Sequence, residues 1–321
     1  MDNEMFNRWL LLALLLPCIA FAAASDANIP PPYKQWFTGP LFTPMAITPK
    51  KEHPALEVTF GGKCTYGFYN ANWQTKNTPD LWSLFNYYDA QLGISKVLGM
   101  EIIASWTNNF RQGASSTHLQ DTTVRLGFQV CNEVPNTWIP DFRIILQEVF
   151  PTGNYQKLKP HKNLTDLTGQ GTFQTGLYLA FQKLFDLNNG HKYQMRLSTG
   201  YFIPAPTHIS GINAYGGSLT TNGTAYPGHY ISIFTSGEYN LNNRWALAFD
   251  SNFQYQFKGR FSGNPGTDPT TPLENAMFTL APELEHTFSP NTGMLLGAWF
   301  SLFGKNTPAF SSLFFSLLFI F

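Results

Sequence analysis

From residue 55 onward the chain alternates apolar and polar positions with a period of two. That is the pattern of strands that show one face to an apolar surrounding and the other to a polar one. The clearest segment runs from Arg244 to Lys258, where Trp245, Leu247, Phe249, Phe253, Tyr255 and Phe257 alternate with Ala246, Ala248, Asp250, Asn252, Gln254, Gln256 and Lys258. Val124, Leu126, Phe128 and Val130 oppose Thr123, Arg125, Gly127 and Gln129 in the same way. Segments of this kind predict strands near 56–69, 84–96, 99–109, 121–131, 138–149, 170–185, 191–202, 228–240, 243–258, 275–288, 293–303 and 309–321. The set is about twelve strands, an even number as bacterial membrane barrels require.

The connections carry a second order. Val97-Leu98, the stretch 132–137, Leu187-Asn188-Asn189-Gly190, Leu241-Asn242 and Ser289-Pro290-Asn291-Thr292 are short and mostly rich in turn formers, whereas 151–169, 203–227 and 260–272 are long. Short and long connections alternate in phase with the strand count. Membrane barrels have this order, with short turns at the periplasmic rim and long loops outside, and a soluble sandwich has no reason to produce it. The expected fold is therefore an all-β, antiparallel, up-and-down transmembrane barrel of the outer-membrane type.

Composition supports a membrane surrounding. Aromatic residues make up 16 % of the chain and charged residues only 12 %, about half the charged fraction of a soluble domain. A net charge of zero argues against a nucleic-acid partner. A lipid-facing charge at mid-depth costs about 2–4 kcal/mol, so the strand charges are assigned inward. They are Glu57, Lys63, Asp89, Glu101, Arg125, Asp141, Arg143, Arg196, Glu238, Asp250, Lys258, Glu283 and Glu285. Both signs are present, so strong ion selectivity is not expected.

Three regions follow. Residues 1–24 read as a signal peptide, with Arg8, an apolar run from Leu10 to Leu16 and small residues that allow cleavage after Ala22 or Ala24. Residues 25–54, with Pro30, Pro31, Pro32, Pro40, Pro44 and Pro49, read as an irregular periplasmic lead-in, and 55–321 as the barrel. Cys18 lies in the signal. Cys64 and Cys131 fall on opposite faces, so no disulfide is expected. In the last strand Leu313, Phe315, Leu317, Phe319 and Phe321 alternate up to the terminus. Outer-membrane proteins resemble one another in ending so, and the resemblance implies that Phe315, Leu317, Phe319 and Phe321 are read by the barrel-assembly machinery. The opposite face, with Phe314, Leu318 and Ile320, is unusually apolar for a lumen.

Between Ile144 and Asp186 a strand ends in Pro151-Thr152-Gly153-Asn154-Tyr155, and after a loop the next opens at Gly169-Gln170-Gly171. In Pro151, Thr152, Gly153, Tyr155, Gly169 and Gly171 the chain resembles the MetA-pathway phenol-degradation family of outer-membrane proteins. The resemblance covers the central third. It implies a channel- or transporter-type barrel for hydrophobic or aromatic solutes and transfers no catalytic residue. Read physically, Pro-Thr-Gly ends a strand and turns the chain, and the two glycines mark a bulge or bend.

Enzymatic chemistry finds little footing. His229 and Ser232 are three apart and face opposite sides of a strand, so they cannot pair as base and nucleophile by themselves. Glu283 and Glu285 share a face, as paired carboxylates of glycosidases do, but two lumen acids more simply line a wet pore or pair with Arg125, Arg143 and Arg196. His118, His161, His191 and His208 lack metal-ligand spacing, so neither metal nor cofactor is expected. Trp106, Trp138 and Trp245 fall near strand ends, where aromatic girdles form. The reading is a monomeric passive channel or facilitator for a small solute, with outer-membrane lipid and the assembly machinery as partners. The alternative is a surface barrel acting through the loops 151–169 and 203–227, and a barrel hydrolase stands third.

Overall fold

The computed structural model describes residues 37–187, 190–268 and 270–321. The signal segment and the first part of the lead-in lie outside the described residues. Sixteen strands follow in chain order: β1 (Ala55–Tyr69), β2 (Thr75–Gly93), β3 (Leu98–Arg111), β4 (Ala114–Leu119), β5 (Thr122–Cys131), β6 (Asp141–Phe150), β7 (Gln174–Asp186), β8 (Lys192–Pro204), β9 (Thr207–Ser210), β10 (Asn222–Tyr226), β11 (Tyr230–Asn240), β12 (Trp245–Gln256), β13 (Arg260–Asn264), β14 (Asn275–Ser289), β15 (Thr292–Lys305) and β16 (Thr307–Ile320).

Twelve of them, all but β4, β9, β10 and β13, pair antiparallel and close into a barrel, as the alternation requires. The seam joins β1 to β16 from Ala55↔Ile320 to Tyr69↔Thr307, with a bulge at Tyr66. The C-terminal residue completes it, the Phe321 N–H donating to Pro54 O at 2.9 Å. The predicted even connections are the tight turns 94–97, 132–140, 187–191, 241–244 and 290–291. We refer to their rim as periplasmic and to the opposite rim as extracellular. Two odd connections are shorter than expected: β1 and β2 join through residues 70–74, and β15 and β16 join through Asn306 alone, in the left-handed region at φ 50°.

The outer face is the apolar set. Phe60, Leu84, Phe128, Leu146, Leu177, Met195, Phe249, Leu296 and Leu313 are each 40–53 % exposed, and they run around the whole circumference. A soluble monomer leaves contiguous apolar patches of only a few hundred Å², so this belt is a lipid surface. No helix of the described residues is long and apolar enough to cross a membrane, and the strands do the crossing.

Pattern reading missed the extracellular strands. β4 continues the β3 hairpin beyond β5, pairing Trp106↔Leu119 to Arg111↔Ala114. β9, β10 and β13 form a separate sheet over the mouth, from the segments expected to be long loops. These strands are four to six residues long, too short for a two-residue period to stand out from loop composition.

Candidate functional site: a plugged lumen and its extracellular mouth

Residues 37–49 do not stay on the periplasmic side, where the lead-in was expected. The segment enters the lumen, climbs to mid-barrel and returns to the rim it came from. Phe37 lies beside Asn240, Arg244 and Trp245 at the periplasmic rim, and His53 Nδ1 sits 3.3 Å from Phe321 O on the way out. Pro40, Pro44 and Pro49 fix φ and remove N–H groups, so the segment cannot join the sheet and its remaining backbone groups need side-chain partners.

The wall supplies those partners in two sets. On the ascending arm N–H groups meet carboxylates: Thr38 N–H donates to Glu285 Oε2 at 3.0 Å and Phe42 N–H to Asp250 Oδ2 at 2.7 Å, with Thr43 Oγ1 on the other Asp250 oxygen. On the descending arm carbonyls meet donors: Ser198 Oγ reaches Pro44 O at 3.1 Å, Gln129 Nε2 reaches Ala46 O at 2.9 Å, and Arg143 Nη1 reaches Met45 O and Ile47 O at 3.4 and 3.2 Å. Gly39, at φ +91°, lies over the Arg196 guanidinium, where a Cβ would come within 3.0 Å. At this level the lumen is filled, with Ser198, Glu238, Asp250 and Glu285 no more than 2 % exposed.

Apolar packing seats the plug and accounts for the odd face of the last strand. Phe42 lies tilted against Trp299 at 4.7 Å between centroids and meets Phe314 edge-on at 5.7 Å. Leu41 and Phe42 cover a cluster of Ala281, Leu295 and Phe314. Phe314 and Leu318 face inward as the alternation places them, and the chain's own N-terminal segment makes an apolar residue suitable there.

Twelve of the thirteen predicted inward charges lie on the inner face of the strands. Arg125 pairs with Glu101 at 2.6 Å and bonds Gln147 at 2.7 Å, and Arg196 faces Glu238 at 3.3 Å. Glu57 accepts from Ser316 Oγ at 2.6 Å and Asp89 from Gln91 at 3.0 Å. Arg143 lies flat over Gly99 and Gly127, and Lys63 stands 5.5 Å from the Phe310 ring centre. Asp141 sits at the rim, where it accepts the Glu133 N–H at 2.9 Å. Lys258 is the exception: β12 ends at Gln256, so Lys258 is exposed on the extracellular connection and does not line the lumen. Glu283 is buried, and neither of its carboxylate oxygens accepts a hydrogen bond from the protein.

Above the plug the inner wall turns aromatic. Phe85 lies over Gly61, Tyr178 over Gly200, Phe202 over Gly176 and Phe314 over Gly297, each so close that a Cβ on the glycine would meet the ring within 2.5 Å. A ring laid on glycine follows the wall and takes little of the lumen's width. Phe202 also stacks on Tyr230 at 4.6 Å, and Trp299 meets Phe310 at 4.5 Å.

At the mouth, Pro151, Thr152, Gly153, Tyr155, Gly169 and Gly171 build a clasp. Asp121, at the break between β4 and β5, accepts the Gly153 N–H at 2.9 Å on one oxygen and the Gln170 N–H at 2.8 Å on the other. Thr152 Oγ1 donates to Gln120 O at 2.7 Å and accepts the Thr122 N–H at 3.0 Å. A Cβ on Gly153 would meet Gly169 Cα at 2.7 Å, and one on Gly171, at φ +72°, would enter the Tyr155 ring. Burial pushes the Asp121 carboxyl above its ordinary range, against the pull of the two N–H groups. The turn-and-bend reading of the motif is thus what the geometry shows, and Asp121, its hub, was missed because a lone Asp between strands gives no signal. Thr38, Gly39 and Phe42 were missed too, although the spacing of Pro40, Pro44 and Pro49 argues against a strand.

The candidate hydrolytic residues stay apart. His229 bonds the Tyr201 hydroxyl at 2.8 Å on the outer surface, while Ser232 points inward and accepts from Asn252 Nδ2 at 3.0 Å. No His, Cys, Asp or Glu group with metal-binding geometry occurs among the described residues. Cys64 and Cys131 are both free.

No family model matches the chain, and no characterised protein matches it in sequence. Among solved structures it is similar to the COG4313 outer membrane channel from Pseudomonas putida F1, with 13 % identity, 86 % of this chain and 98 % of that one covered, and a TM-score of 0.67. The NanC porin (9 % identity, 82 % and 98 % covered, TM-score 0.42) and the CymD monoaromatic hydrocarbon channel (9 % identity, 85 % and 89 % covered, TM-score 0.37) also match. At these identities the likeness to the Pseudomonas putida structure speaks to the fold: the chain is a twelve-stranded barrel of the outer-membrane type.

Proposed function

We propose that this protein is an outer-membrane channel for small solutes, closed in its periplasmic half by residues 37–49 and opened when that segment leaves its seat. The observation that carries the reading is Glu283, buried in mid-barrel with no partner for either oxygen. A buried carboxyl group left without a hydrogen-bond partner costs about 1–3 kcal/mol. A barrel that served only to display loops would be better off with an apolar residue there, whereas a path that admits water and solute gives the carboxyl group its hydrogen-bond partners. The rings laid along the extracellular half of the wall favour flat, apolar or aromatic solutes, the class that the resemblance of the 151–171 motif implies. The similar Pseudomonas putida structure is itself described as a channel.

The test is single-channel conductance in planar bilayers, comparing the folded protein with a variant lacking residues 37–49. Rare, brief openings in the parent and stable steps in the deletion are expected. A folded deletion variant that stays silent would overturn the channel and favour a surface barrel acting through its loops.

A further inference from the structure

We propose that a cleft in the extracellular loops is an anion-recognition site, built to take a small carboxylate, phosphate or sulfate group. The cleft has a volume of about 670 Å³. One wall is β4, with Thr117 and His118, and the other is the loop that carries Gln156, Lys157, Lys159 and Lys162. A second cleft of about 460 Å³ adjoins it through Lys157.

Three features separate this arrangement from a solvated lysine face. First, the loop is fixed. Lys157 N–H donates to Ser210 O and Leu158 N–H to Ile212 O, both at 3.0 Å, and the Leu158 side chain is buried beneath the lysines. Lys157, Asn163 and Leu164 hold left-handed φ values of 54°, 50° and 63°. Each costs a non-glycine residue on the order of 1 kcal/mol, so packing and not local preference sets the shape.

Second, the charges are left uncompensated. None of the ion pairs among the described residues involves Lys157, Lys159 or Lys162. The acid on the lining, Asp166, turns one oxygen to the Lys159 backbone N–H at 3.0 Å and is buried under the loop. Third, one of the three ammonium groups is held in place at the cleft. Lys162 Nζ is tethered to Ser115 O at 2.8 Å, which aims its ammonium along the cleft wall. A bound anion would supply the counter-charge that these lysines lack.

Two sources supply such a group outside an outer membrane: a free solute anion, and a phosphorylated lipid of the outer leaflet. Binding to the full-length protein would be followed by calorimetry in detergent at low salt, with inorganic phosphate and with benzoate, and separately in nanodiscs containing lipid A. Saturable binding is expected, weakened about tenfold or more in Lys157→Gln/Lys159→Gln/Lys162→Gln and by added salt. It should be unchanged in Lys258→Gln/Arg260→Gln, and heat-modifiable gel mobility would check folding in each variant. Binding of phosphate or benzoate identifies a solute site, and binding of lipid A alone identifies a lipid site. No saturable binding of any probe, or equal affinity in the triple variant, would overturn the proposal. The measurement needs no transport, so it stands or falls apart from the conductance result.

Discussion

In the periplasmic half of the lumen the wall carries Glu57, Asp89, Glu101, Arg125, Arg143, Arg196, Glu238 and Glu285, while in the extracellular half it carries Lys63 among the rings of Phe85, Tyr178, Phe202 and Phe310. Both sets face inward from the same strands, yet they are used differently. The charges hold backbone: N–H groups of the ascending arm on carboxylates, carbonyls of the descending arm on Ser198, Gln129 and Arg143. Phe85, Tyr178 and Phe202, together with Phe314, lie down over glycines, and the plug's upper turn meets this wall through Phe42 against Phe314 and through the cluster around Ala46. One half is shaped around an occupant that belongs to the chain, and the other is lined by rings laid along its own wall.

Substitutions can break this contrast. The largest effect is expected from Phe42→Ala, which removes the ring that meets Trp299 and Phe314 and loosens the plug by about 3 kcal/mol. Bilayer recordings should show frequent openings, whereas Leu247→Ala, on the lipid-facing side of the wall, should leave the closed state in place. Gly39→Ala forces a side chain into a left-handed position against Arg196 and should weaken the seat by about 1–2 kcal/mol, read as a smaller rise in open probability. Asp121→Asn leaves one of two N–H groups facing a donor, at a cost of about 1–2 kcal/mol confined to the clasp. Faster trypsin cleavage at Lys157, Lys159 or Lys162 on intact cells is expected, with conductance unchanged. Lys258→Gln, outside the lumen, should alter neither reading.

Strand number, order and facing were legible because the lipid imposes a rule on every second residue: Phe249 must be apolar and Asp250 must turn inward, and both do. Where the lipid stops, that rule stops. β9, β10 and β13 are held by backbone pairing over the mouth, and Lys258 keeps the parity of an inward residue after the strand has ended. The plug was illegible for another reason. Its hydrogen-bond partners lie 81 to 247 residues away in sequence, as with Thr48 to Gln129 and Thr38 to Glu285, and irregular backbone carries no period to betray such contacts. One trace was visible, the apolar inner face of β16 at Phe314 and Leu318. Its meaning emerges only once Leu41 and Phe42 are seen against it.

The plug enters and leaves by one rim, and its last residues run directly into Ala55, where β1 meets the end of β16. It is therefore a loop laid into the barrel and not a strand threaded through it. Such a segment has no knot to undo. It can be set down after the seam has closed and withdrawn without parting any pair of strands, so the opening proposed above would leave the barrel wall intact each time.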